Sequence, residues 1–252
     1  MRSILLALSM LAAVPGLAQA ACLADSGDAL VPLVELYTSE GCDSCPPADR
    51  WLSGTFPPAG APRASVLAFH VDYWDRLGWV DRFAHADYTA RQYAAMRANR
   101  ATFVYTPQVL LQGRDHTGWR RGSAADALAA AASRPPRARL SLAAKRNGEA
   151  IEATLDASLA AGAGPATVAL AYTDSRLESV VRAGENRGET LVHDHVVRHL
   201  AAQPLRASQR EYRFTVPRPR EAGEHAKLVA FVQQDTRGDV LQSVTLDLAG
   251  CR

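Results

Sequence analysis

The chain has 252 residues, 48% of them hydrophobic and 21% charged, and a net charge of +2 from 28 basic and 26 acidic side chains. That balance excludes a disordered or collagen-like chain, and the single long apolar stretch, at the N-terminus, excludes a polytopic membrane protein. No clustered basic surplus marks a nucleic-acid binder, and every basic residue except Lys145 and Lys227 is arginine.

Residues 1–20 have the form of a secretory signal peptide. Arg2 supplies a short positive region, residues 4–14 an apolar one too short for a membrane span, and Ala18-Gln19-Ala20 an A-x-A cleavage site. The mature chain then starts at Ala21, the protein is periplasmic or secreted, and no stable membrane insertion is expected. Residues 31–38 follow as an apolar strand. A helix start and a short helix are expected from Cys42 to about Leu52, and Pro46 and Pro47, tolerable only in the first turn, pin the start near Cys45. A second buried strand covers 65–71, a helix 84–98, and a third strand 107–111. After turn residues 112–115, a fourth strand is expected over 116–119. Ser123 and Asp126 resemble a capping box opening an alanine-rich helix that ends near Ser133.

Pro135-Pro136 reads as a linker, because consecutive prolines resist both helix and central strand. Beyond it the hydrophobic period changes to two. Leu140, Leu142 and Ala144 alternate with polar residues, Asn147-Gly148 is a strong hairpin turn, and Ile151, Ala153 and Leu155 return. Further strands are expected over 166–173, 190–200, 211–216, 227–233 and 240–248. The expected organisation is an α/β domain over 29–134 joined to an all-β sandwich over 138–249.

Four cysteines allow three pairings. Closure of the Cys42-Asp43-Ser44-Cys45 motif on itself leaves Cys22 and Cys251, near the two ends of the mature chain, to bridge each other as a structural disulfide. Reduced terminal thiols and intermolecular bridges are the alternatives. The Cys-x-x-Cys follows a strand and opens a helix, where backbone N–H groups and the macrodipole favour a thiolate. This makes Cys42 the nucleophile and the deeper Cys45 the resolving thiol of disulfide exchange. Zinc needs about four ligands; no second Cys-x-x-Cys exists, and no metal ligands are assigned.

Cys42-Asp43-Ser44-Cys45, the β-α-β-α-β-β-α order and Tyr105-Thr106-Pro107 opening the third strand resemble the thioredoxin superfamily. Three runs, residues 34–49, 69–75 and Gly184-Glu185-Asn186-Arg187-Gly188, resemble more narrowly a family of secreted bacterial thioredoxin-like proteins catalogued as a domain of unknown function. The resemblance implies a thioredoxin-like N-terminal fold. It also implies a cis Pro107 that, with Thr106, presents backbone to an extended substrate, and a buried acid near Glu35 that moves the resolving thiol's proton. Asp43-Ser44 departs from the Gly-Pro or Pro-His centre of better understood relatives, and Glu35 sits one residue too far from Cys42. The plainer reading of Glu35 is a strand carboxylate paired with an arginine.

The expected function is thiol–disulfide exchange with other exported proteins and a redox partner, with Cys42, Cys45, Pro107 and Glu35 in catalytic roles. No cofactor is called for, because the cysteine pair itself carries two electrons. The alternatives are a partner-binding protein whose Cys-x-x-Cys is structural, and a metal carrier using Cys42, Cys45 and a histidine. His193, His195 and His199 are expected along one polar strand face, Gly184 and Gly188 in a turn, and residues 70–75 in a loop anchored by Trp74 and Trp79, with a functional contact at this strand end as the alternative.

Overall fold

The computed structural model describes residues 22–59, 63–121, 124–221 and 223–251. The expected signal peptide and Ser123 lie outside them. In chain order the elements are β1 (Cys22–Asp25), β2 (Leu33–Thr38), α1 (Pro46–Thr55), β3 (Ser65–His70), α2 (Ala86–Ala98), β4 (Gln108–Leu111), β5 (Arg114–Asp115) and α3 (Ala125–Ala132). There follow β6 (Ala138–Asn147), β7 (Ala150–Leu159), β8 (Ala166–Ser175), β9 (Leu177–Val180), β10 (Thr190–His193), β11 (Val196–Leu205), β12 (Glu211–Pro217), β13 (Glu224–Gln234) and β14 (Val240–Asp247). Short 3-10 turns occupy Asp72–Leu77 and Thr117–Arg120.

The expected fold class, an α/β thioredoxin-like domain followed by a separate sandwich, does not hold. Strands make up 43% of the described residues and helices 18%. One eight-stranded sheet, ordered β14-β13-β8-β11-β3-β2-β4-β5, runs through both halves. The junction is the parallel pairing of β11 with β3 at Val196 and Ala68, reinforced by the Ala68 N–H donating to the His195 carbonyl at 2.8 Å. At the far edge, Gln242 accepts from the Val31 N–H at 2.9 Å and Gln112 donates to the Val240 carbonyl at 3.1 Å, so the last strand also touches the first half. Hydrophobic periodicity reports which face a side chain takes, not which sheet a strand joins. β8, buried at nine of its ten positions, reads equally well as a sandwich strand or a central one.

A four-stranded sheet, β1-β6-β7-β12, packs on one face of this sheet at its β8–β13–β14 end. Leu140, Leu142 and Leu155 interdigitate there with Leu170, Leu228 and Leu246, each such burial contributing about 1.5–3 kcal/mol. Asn147-Gly148 turns β6 into β7, with Gly148 at φ +60°. Val34 and Leu36 of β2 pack with Ala48 and Leu52 of α1 and with Phe56 at its C-cap, whereas Leu33 and Tyr37, alternating with them, face Tyr88 of α2 on the other side. This alternation follows from the period of two and fixes which residues can approach α1.

Two smaller expectations are also corrected. Residues 116–119 form no strand; Thr117–Arg120 is a 3-10 turn that buries Trp119. The single strand expected over 190–200 is two, because Asp194 and His195 break the extended run between β10 and β11 and His195 sits at φ +58°. β9 and β10 pair only with each other, as a ribbon outside both larger sheets.

Candidate active site at the Cys42–Cys45 disulfide

β2 ends at Thr38, and Ser39 to Gly41 carry the chain to the start of α1. The turn is closed by the Cys42 N–H donating to Ser39 O at 3.2 Å and the Cys45 N–H donating to Cys42 O at 3.2 Å. Cys45 is the N-cap of α1, and the Pro46 and Pro47 rings occupy the first turn, where their missing N–H groups cost nothing. Gly41 packs closely on the loop after β3: a Cβ there would lie 3.2 Å from the Trp74 Cβ, a tight contact. Cys42 and Cys45 are joined in a disulfide. The Thr106 hydroxyl donates to Cys42 Sγ at 3.3 Å and itself accepts from the Trp74 indole N–H at 2.8 Å. The Thr106–Pro107 peptide is cis. Thr106 is thus brought to the disulfide, with buried Pro107 next to it.

Cys42 is not the exposed tip that its place in the turn suggests: both cysteines are 0% exposed. The loop between β9 and β10 lies against the motif. Asn186 donates through Nδ2 to Glu40 O at 2.8 Å and to Cys42 O at 2.9 Å, and Glu185 accepts from the Asp43 N–H at 3.1 Å. A helix-tip N–H that could face a Cys42 thiolate is therefore bonded to a carboxylate. Gly184 and Gly188, both at positive φ (+73° and +92°), do turn this loop, but Glu185 and Asn186 between them bind the Cys-x-x-Cys motif.

Next to the disulfide lies a set of buried ionisable groups. His70, at the end of β3, donates a hydrogen bond from Nδ1 to Asp81 Oδ2 at 2.6 Å; Asp81 also accepts from the Glu40 and Phe83 N–H groups, each at 2.9 Å. Glu40 accepts from the Trp79 indole at 2.7 Å, and its second oxygen stands 3.5 Å from His193 Nε2. That oxygen, His70 Nε2 and both ring nitrogens of His193 are buried without a hydrogen-bond partner. Burial opposes charge on these groups, but the His70–Asp81 attraction outweighs it, holding His70 above the ordinary histidine range and Asp81 below the ordinary carboxylate range, and polar contacts from His193, Ser179 and Trp79 hold Glu40 low against burial and the nearby Asp81. Asp49, one turn after Cys45, goes the other way. Burial pushes its carboxyl up and outweighs His193, His70 and a 3.2 Å hydrogen bond from Thr38. A cleft of about 190 Å³, bordered by Asp49, Arg50 and His193, reaches this face of α1.

The model of the family described as Protein of unknown function (DUF1223) matches residues 33–233. The chain belongs to this family. Over 87% of the chain it is similar, at 28% identity and a TM-score of 0.63, to a protein from Agrobacterium tumefaciens solved by X-ray crystallography, 95% of which is covered. No curated protein matches the sequence. The DUF1223 match contains Cys42, Cys45, Thr106, Pro107, Asn186 and His193, so the whole arrangement above lies within the family's span.

The other expected residues of this DUF1223 member are placed as follows. Glu35 lies on the α2 side of β2, 1% exposed and bonded to Arg91 at 2.7 Å, so β2 itself separates it from α1 and the cysteines. The plainer reading, an arginine-paired strand carboxylate, is what the structure contains. Cys22 and Cys251 are bonded to each other and join β1 to the segment after β14. His193, His195 and His199 do not share a face: His193 meets Glu40 and His70, His195 Nε2 meets the Phe56 carbonyl at 2.7 Å, and His199 lies half-buried on β11. Among the described residues no group of three or more His, Cys, Asp or Glu is placed to hold a metal ion. Trp74 and Trp79 do anchor the loop after β3, through Thr106 and Glu40. Asp49, Asn186 and Asp81 were not singled out as chemistry from sequence, and His70 only as part of the run 70–75 at a strand end. Only Asp49 carried a signal: a carboxylate four residues after a cysteine lies on the same helix face.

Proposed function

We propose that the protein is a thiol–disulfide oxidoreductase that exchanges with cysteines of other exported proteins. The observation that carries this reading is the setting of the Cys42–Cys45 pair: a disulfide at a helix start, with the Thr106 hydroxyl on one sulfur and, one turn beyond the other, the buried Asp49 carboxyl, whose affinity for a proton burial raises. A substrate thiolate attacks Cys42 Sγ and the Cys42–Cys45 bond breaks. Cys45 leaves as a thiolate and takes the Asp49 proton, and the Asp49 carboxylate is reprotonated through the cleft. A second substrate thiolate attacks its neighbour in the mixed disulfide and releases Cys42 as the thiolate. The substrate is then oxidised and the pair reduced, and a disulfide-bearing partner in the same compartment returns the pair to its starting state. The reverse sequence reduces a substrate disulfide. The A-x-A signature of residues 1–20 supports an exported site of action.

Cys45→Ala leaves Cys42 unable to be resolved and is expected to accumulate a reducible adduct with exported proteins on a non-reducing gel, whereas Cys42→Ala accumulates little. Equal trapping by the two variants refutes the assignment of roles.

The complete burial of both sulfurs favours a second reading, a partner-binding protein with a structural disulfide. The reduction potential of the pair separates the two: structural disulfides lie below about −300 mV, exchange-active ones roughly between −270 and −120 mV.

A further inference from the structure

We infer that the Gly184–Gly188 loop is a gate over the disulfide and that Asn186 is its latch, a specificity-determining residue that decides which thiols reach Cys42. This rests on the exchange reading above. A disulfide exchanges only when a thiolate can approach along the S–S axis, and Cys42 and Cys45 are both 0% exposed. Trp74 and Thr106 stand on one side of the motif and are tied to it by the Thr106–Cys42 hydrogen bond. The loop is bonded to the backbone of the same motif.

The loop is attached in a way that permits release. It is the tip of the β9–β10 ribbon, which pairs with neither larger sheet. Its base is closed by the Gly188 N–H to Val181 O and the Val181 N–H to Glu189 O, both at 2.9 Å. Its hold on the motif is polar: two hydrogen bonds from the buried Asn186 amide and one from the Asp43 N–H to Glu185, which is itself exposed. Gly184 and Gly188 at its ends tolerate backbone rearrangement that other residues resist. Released, the loop leaves the Asp43 N–H and the Glu40 and Cys42 carbonyls free, one donor and two acceptors that an extended polypeptide can pair with. The partner class is therefore a cysteine within an extended peptide segment, admitted when its main chain replaces the latch. Small dithiols need only a partial opening.

The test compares two probes on the oxidised full chain: dithiothreitol, and an unfolded polypeptide with one cysteine. Asn186→Ala is expected to raise the polypeptide rate about tenfold, the effect of losing two net hydrogen bonds from the closed state. The dithiothreitol rate is expected to rise much less, with the reduction potential unchanged. Glu185→Ala, at an exposed position that does not threaten folding, is expected to act in the same direction and less. Rates that stay constant, or rise equally for both probes, overturn the gate. A shifted potential without a change in probe preference makes Glu185 and Asn186 tuners of the sulfur instead, and also overturns it. If Asn186→Ala selectively admits the polypeptide but Cys45→Ala traps no exported protein, the gate stands and the exchange reading fails.

Discussion

The two ends of the eight-stranded sheet are built on opposite principles. At the β8–β13–β14 end, the second sheet closes an apolar core of Leu, Val and Ala with Tyr212 and Phe214, and the Cys22–Cys251 disulfide fastens its margin. At the other end, beside the Cys42–Cys45 disulfide, the interior holds Glu40, Asp49, His70, Asp81 and His193. Buried charge is costly unless paired, and removal of one partner costs more than the pair contributes. The first end is therefore fit for stability alone. The second spends stability on ionisable groups buried beside a disulfide, and such expenditure is what marks a candidate site.

This contrast breaks first at Asp81. Asp81→Ala leaves the Glu40 and Phe83 N–H groups without an acceptor and the buried His70 without its counter-charge, so a loss of about 3–5 kcal/mol in urea unfolding is expected. A loss under about 1 kcal/mol would show that the polar end is not held by this pair. Its pH dependence has a definite sign. His70 is raised, so its contribution is full below the ordinary histidine value of about 6.5 and is lost as pH rises through the raised value. Asp81 is lowered, so its contribution is present above about 3.9 and is lost as pH falls through the lowered value. The wild type should exceed the variant most between about pH 4 and 6.5.

Leu142→Ala, at the apolar end, is expected to cost about 2–5 kcal/mol while leaving the Cys42–Cys45 potential where it was. A shifted potential would couple the ends and void the contrast. Removing the terminal disulfide by Cys22→Ser with Cys251→Ser is expected to cost about 2–4 kcal/mol, again with the redox pair unaffected. Calorimetry and a glutathione titration read both quantities on the same samples.

What could be read from sequence follows the same division. The helix start at Cys45, the Asn147-Gly148 hairpin and the alternating strands of the second half were legible because each rests on local chemistry: proline at a helix N-terminus, glycine at positive φ, a period of two. The joining of β11 to β3 was not, because the partners are over a hundred residues apart and nothing in either strand names the other. Strand parity placed Glu35 on the face of Leu33 and Tyr37, but could not say that α1 would pack on the face of Val34 and Leu36. Asn186 was legible as part of a turn and not as a latch, since its value depends on carbonyls delivered by the other half of the chain.

The smallest expected effect in stability is at Asp49, and it distinguishes a proton donor from a packing residue. In the unfolded chain Asp49 ionises near pH 3.9, while in the folded protein burial keeps its proton to a higher pH. Folding above pH 3.9 therefore takes up a proton, and that cost grows with pH until the raised value is passed. Asn carries no such cost and can still accept from the Thr38 hydroxyl that now bonds Asp49 at 3.2 Å. Asp49→Asn should match the wild type below about pH 4 and become the more stable protein as pH rises. If Asp49 only packs, the kinetics should follow stability and exchange should be unchanged or faster. If it gives its proton to the departing Cys45 thiolate, the more stable variant should exchange more slowly at neutral pH, by about 10²-fold or more, and the pH dependence of the wild-type rate should flatten. A more stable variant with an undiminished rate would remove Asp49 from the chemistry and leave the Cys45 proton to come from solvent.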